Sequence, residues 1–196
     1  MPAEPTLMDD TIYGTEAAEV LHGLAGNDYI SGYHGADQLF GDEGNDTLQL
    51  GGNAMYANTT PVFAMTMSAD GGIGNDTIDI FTNASSTTAL GGDGDDIIRL
   101  RGIGGVTAHG GIGNDLFDVQ QAGTVVFTLG AGNDTVNLSA STYFAPGSSI
   151  TITDYVQGQD RLSLNLNSWL INWDGSSPFT GGYLRLVQSG ADTLVQ

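Results

Sequence analysis

The chain has no cysteine and no lysine, and its four arginines (Arg99, Arg101, Arg161 and Arg185) stand against 23 acidic residues among 196, a formal net charge of −19. The missing cysteine excludes a disulfide-stapled scaffold and a thiolate zinc site. The missing lysine excludes a P-loop. So acidic a chain is a poor partner for nucleic acid or an anionic membrane, because each phosphate contact needs a cation. Apolar runs of membrane-spanning length are absent, and no basic-then-apolar leader follows Met1, so any export signal is expected elsewhere. Helical spacing is nowhere sustained. The GxSxG and HExxH motifs are absent too, and His22, His34 and His109 fall at turn or surface positions, so no catalytic residue is assigned.

What the chain has in quantity is glycine, 30 residues, beside 40% hydrophobic residues that suffice for a core. The glycines are periodic. Nine-residue units start at Pro5, Gly14, Gly23, Gly32 and Gly41, then return as GGIGNDTID at Gly71, GGDGDDIIR at Gly91, GGIGNDLFD at Gly110 and LGAGNDTVN at Leu129. A degenerate copy, YVQGQDRLS, begins at Tyr155. Positions four to eight read Gly, Asn or Asp, Asp, any residue, apolar, and a second apolar residue often follows two places later, which is the alternation of a short strand. Each unit is therefore a glycine-rich turn followed by a strand. Nine residues make half a coil, so turns two units apart stack on one edge of an all-β, right-handed parallel β-roll. One edge carries the turns at 5, 23, 41, 71, 91, 110, 129 and 155; the other carries 14 and 32, then ordinary loops at Asn83–Ser86, Gly102–Gly105 and Gln121–Gly123. An insertion loop is expected over about 51–61.

Stacked Asp residues at position six, beside turn carbonyls, offer a hard cation a ring of oxygens, and the chemistry suits calcium better than magnesium or zinc. The carboxylates are Asp10, Asp28, Asp37, Asp46, Asp76, Asp96, Asp115 and Asp134, with Glu19 as a departure. With these motifs the sequence resembles the RTX (repeats-in-toxin, haemolysin-type) calcium-binding family, whose nonapeptide is GGxGxDxUx. The resemblance covers residue 5 to about 164 and implies ions held between successive turns. Ligands would be the carbonyls of positions one and three with Asp six of one turn, and of positions two and four with Asp six of the next. For the pair 71/91 this implies Gly71, Ile73 and Asp76 with Gly92, Gly94 and Asp96. For 110/129 it implies Gly110, Ile112 and Asp115 with Gly130, Gly132 and Asp134. The same carry-over brings in Gly23, Leu24, Ala25, Gly26, Gly41, Asp42, Glu43, Gly44, Gly72, Gly74, Gly91, Asp93, Gly111 and Gly113. Five turn pairs are complete (23/41, 41/71, 71/91, 91/110, 110/129) and two are imperfect (5/23, 14/32), giving five to seven calcium ions.

Residues 1–164 are thus expected to form the roll and 165–196 a C-terminal cap. Trp169, Trp173, Phe179 and Tyr183 would cover the open end, with Tyr143, Phe144 and Tyr155 near it, and YLRLVQSGADTLVQ reads as a hairpin that stops in mid-strand. The resemblance implies a monomeric, non-catalytic module of a bacterial protein exported by a type I secretion apparatus, secreted or held at the cell surface, and folded by calcium outside the cell. The parent would be an adhesin, toxin or enzyme. A polysaccharide- or surface-binding module on the same scaffold is the alternative. Ice binding is disfavoured because position three carries Ala25, His34, Glu43, Ile73, Asp93, Ile112 and Ala131 rather than a rank of threonines.

Overall fold

A computed structural model describes residues 4–51, 65–81, 84–102, 104–164, 186–189 and 192–195. Its regular structure is entirely strand, with no helix among the described residues. The strands form a parallel β-roll of two facing stacks. The first stack takes β1 (Thr11–Tyr13), β3 (Tyr29–Ser31), β5 (Thr47–Leu50), β7 (Thr77–Ile80) and β9 (Ile97–Arg101) in order. The second takes β2 (Val20–His22), β4 (Gln38–Glu43), β6 (Thr66–Ile73), β8 (Ser86–Asp93) and β10 (Val106–Ile112). Every neighbouring pair is parallel, and the registers join equivalent places of the repeat: Ile12 with Ile30, Ile30 with Leu48, Leu48 with Ile78, Ile78 with Ile98.

Two long strands run across both stacks. The first part of β11 (Leu116–Ala131) pairs with β9 and its last part with β10, and β12 (Thr135–Ile152) follows β11 along this path before β13 (Arg161–Leu164) closes the first stack. The loop expected at Gln121–Gly123 is therefore absent. Register shifts at Val119/Gln121 and Ala122/Thr124 turn the corner without breaking the ladder, as bulges do. The C-terminal hairpin is present as β14 (Leu186–Ser189) paired antiparallel with β15 (Asp192–Val195). Residues 52–61 of the expected insertion, Asn83, and Trp169, Trp173, Phe179 and Tyr183 lie outside the described residues.

The alternating pattern of each strand explains the core. Position eight contributes Ile12, Ile30, Leu48, Ile78, Ile98, Phe117 and Val136, and the place two beyond contributes Leu50, Ile80, Leu100, Val119 and Leu138, all buried. The second stack answers with Leu21, Leu39, Ala69, Ala89, Ala108 and Phe127. The later coils of the second stack contribute small alanines to this core, and the Phe117 and Phe127 rings meet tilted at 4.7 Å. The outward faces are polar: Asp79 lies between Arg99 at 3.6 Å and Arg101 at 3.9 Å, with the Arg101 guanidinium over Phe81. Two of the arginines thus serve charge balance.

Candidate metal centres

The turns that feed the first stack lie directly one above another, because the strands on either side of them are in register. Each gap between successive turns is named here by their first residues. Position six is buried from turn 23 to turn 129, where Asp28, Asp46, Asp76, Asp96, Asp115 and Asp134 lie inside the turn column, and Asp37 is buried on the opposite edge; Asp10 of the first turn is half-buried. Their two carboxylate oxygens do different things. Oδ1 of each Asp from 28 to 134 on the first edge accepts the N–H of the position-six residue one turn earlier, at 2.7–2.9 Å. Oδ2 has no donor. Asp28, Asp37, Asp46, Asp76, Asp96, Asp115 and Asp134 each bury that oxygen without a hydrogen-bond partner.

A buried, unpaired carboxylate oxygen is costly, so seven of them in one repeated place ask for a positive group. Carbonyls converge on the same spot. A Cβ built on Gly71 would fall on Asp76 Oδ2 and the Gly91 carbonyl oxygen, and Gly23, Gly41, Gly91 and Gly110 reproduce the clash with their own Asp and the next turn's first carbonyl. Position one is glycine because a side chain there would fill the place where acceptors meet. The electrostatics agree. Burial pushes Asp46 and Asp96 up from 3.8 to about 7, and Asp37, Asp76 and Asp115 to about 6, each opposed by the backbone N–H it accepts and reinforced by neighbouring carboxylates. Asp28 and Asp134 are raised for the same first reason.

The direction of the carbonyls corrects the pairing implied by the resemblance. Even positions face the following turn: the Gly72 carbonyl points at Gly92 and that of Gly74 at Gly94. Odd positions face the preceding turn: the Gly91 carbonyl points at Gly71, and the Asp93 carbonyl accepts the Gly74 N–H at 2.8 Å. Gap 71/91 therefore gathers Gly72, Gly74 and Asp76 with Gly91, Asp93 and Asp96. Gap 23/41 gathers Leu24, Gly26 and Asp28 with Gly41, Glu43 and Asp46, and the Gly71 and Ile73 carbonyls belong to 41/71. In 110/129 the set becomes Gly111, Gly113 and Asp115 with Leu129, Ala131 and Asp134, because the Gly132 carbonyl faces the closing turn, where Gln159 reaches it. All donors are oxygens, which fits a hard divalent cation of flexible coordination. Only two carboxylates enter any gap, and among the described residues no group of three or more His, Asp or Glu side chains gathers.

Several expected residues take other parts. Asp10 Oδ2 is held by the Thr6 N–H at 2.6 Å, and both oxygens of Glu19 are held by Thr15. The Ala25 backbone bridges to Glu43, and the Ile73 and Ile112 side chains at position three are exposed, so only their carbonyls face a gap. The Asp42 carboxylate turns outward to His22 Nδ1 at 3.0 Å, beneath the stacked His22 and Phe40 rings. Sequence reasoning missed position five. Oδ1 of Asp9, Asn27, Asn45, Asn75, Asp95 and Asn114 accepts the position-five N–H of the following turn at 2.7–3.0 Å, a second ladder running opposite to the first. The Asn or Asp that recurs at position five, just before the Asp of position six, was the available signal.

Comparison with known proteins agrees with this geometry. A family model described as the RTX calcium-binding nonapeptide repeat matches four copies over residues 13–48 and 81–101. No curated protein and no solved structure matches the chain.

Proposed function

From RTX calcium-binding nonapeptide repeats carried on a parallel β-roll, we propose that this chain is a non-catalytic module which binds calcium between stacked turns and folds upon binding it. The observation that carries the reading is the row of buried Asp Oδ2 atoms without a donor. A divalent ion in each gap supplies their missing partner and separates carboxylates that otherwise repel across adjacent coils. Extracellular calcium modules work at Kd of about 10⁻⁴ to 10⁻³ M. At about ten times Kd each ion contributes roughly 1.4 kcal/mol, so five contribute on the order of 7 kcal/mol, comparable with the stability of a whole domain.

Such a coupling suits a protein that leaves a bacterial cell unfolded through a type I apparatus and folds where calcium is plentiful, as the secreted or surface-held part of a larger exported protein. The test is far-ultraviolet circular dichroism of the full chain, stripped of calcium and then titrated with it at neutral pH. The β spectrum is expected to appear only with calcium, and a native spectrum persisting in excess chelator overturns the reading.

A further inference from the structure

Three gaps at the margins of the array differ from the interior ones. In 5/23, Thr6 Oγ1 lies 2.8 Å from Asp10 Oδ2 and 3.4 Å from the Met8 carbonyl oxygen, the position-four acceptor of that turn. In 14/32, the Thr15 N–H and hydroxyl hold the two Glu19 oxygens at 2.5 and 2.9 Å. In 129/155, Gln159 Nε2 donates to the Gly132 carbonyl, again at position four, and Asp160 Oδ1 accepts the Asp134 N–H at 3.2 Å, while on the far side of the closing turn the Val156 N–H holds Asp160 Oδ2 at 2.7 Å. In the five interior gaps no side-chain donor from the described residues reaches the position-six Oδ2. Position one agrees at both ends of this edge: Pro5 and Leu129 carry the Cβ that glycine leaves out in turns 23 to 110. At 129/155 the closure acts through Leu129 and through the carbonyl, since Asp134 Oδ2 stays without a donor there.

We infer that Thr6, Thr15 and Gln159 take the place of the cation in these three gaps, so that on the first edge the ions are confined to the five gaps from 23/41 to 110/129. All three gaps lie between two turns, but in 5/23 and 129/155 Pro5 and Leu129 put a Cβ where glycine leaves room for the acceptors of an interior gap to meet, and in all three a hydroxyl or amide N–H satisfies an acceptor by a direct hydrogen bond. The array is bounded by hydrogen-bonded stops. The inference rests on the calcium reading above, and it places Asp10 and Glu19 among the stops.

The experiment counts ions on the folded full chain by native mass spectrometry at saturating calcium and follows thermal unfolding by circular dichroism. Asp160→Asn keeps the Oδ1 acceptor and should leave the ion number of the parent chain unchanged, whereas Asp96→Asn should lower it. Gln159→Ala should lower the thermal midpoint with the ion number unchanged, and Leu129→Gly/Gln159→Ala should admit one ion more. Loss of an ion in Asp160→Asn overturns the inference, and so does a double variant that keeps both the parent's ion number and its midpoint. Should the double variant fail to fold, Asp160→Asn decides alone. A parent chain that takes up no calcium sinks the calcium reading and this inference with it; a chain that binds calcium but loses an ion in Asp160→Asn sinks this inference only.

Discussion

A single methyl group separates an open gap from a closed one. Gly91→Ala would set a Cβ on Asp96 Oδ2 and the Gly110 carbonyl, neither of which can retreat, the first because its carboxylate is anchored through Oδ1 by the Asp76 N–H at 2.8 Å and the second because of the strand it belongs to. One ion should be lost from 91/110, visible as one equivalent fewer in calorimetric titration; an unchanged stoichiometry would mean that position one does not border the ion. Position two makes a contrasting demand. From turn 23 to turn 129 it takes positive φ, at Gly72, Gly92, Gly111 and Gly130 in the later turns but at Leu24 (82°), Tyr33 (64°) and Asp42 (71°) in the earlier ones. A non-glycine residue in that region costs about 1–2 kcal/mol, while glycine costs roughly 0.5–1 kcal/mol through the unfolded chain. Leu24→Gly is therefore expected to stabilise by up to about 1 kcal/mol and to raise the thermal midpoint in saturating calcium. A lower midpoint would show that the leucine side chain contributes more than its backbone costs.

The turn is held by two ladders that run in opposite directions, and they should be separable. Position six receives N–H groups from the turn before and position five from the turn after, so each turn is clamped to both neighbours by side chains two atoms long. Asn75→Ala removes only the acceptor of the Asp95 N–H, which should cost about 1 kcal/mol of stability and leave the ion count unchanged. Asp76→Asn should remove an ion; if Asn75→Ala does so too, the position-five ladder belongs to the site itself. Much of this element was legible from spacing, since a fixed nine-residue period dictates which turns stack and which side chains alternate inward, from Ile12 to Val136. What spacing does not carry is direction. The motif marks Gly72 and Gly91 alike, but whether odd or even carbonyls face forward depends on backbone dihedrals, and the implied pairing of Gly71 with Gly92 fell for that reason. The role of Asn75 stayed hidden because asparagine is common in turns for local reasons. The corner at Gln121–Gly123 was expected to be a loop because the second edge loses the repeat motif there, whereas bulges let the ladder continue through it.

At the scale of the whole molecule, charge and fold are tied together, and five dications would bring the formal charge from −19 to −9. Protons compete for the same oxygens, which gives the calcium-free chain a distinctive pH dependence. Asp46 and Asp96 are raised from 3.8 to about 7, and Asp37, Asp76 and Asp115 to about 6, chiefly by burial. A carboxyl group whose folded pKa lies above its unfolded value binds its proton more tightly in the roll, so it stabilises the fold fully below about pH 4 and ceases to do so as pH rises through 6 to 7. Acid should therefore do part of the work of calcium: the stripped chain is expected to show more β structure near pH 5 than at pH 7.5. With calcium bound the sign reverses, because ligation needs the ionised carboxylate and acidification expels the ion. Circular dichroism at several pH values, on protein stripped of calcium and on protein saturated with it, should give two curves of opposite slope between pH 5 and 7. Parallel curves would show that the buried carboxylates are not the groups that link calcium to folding.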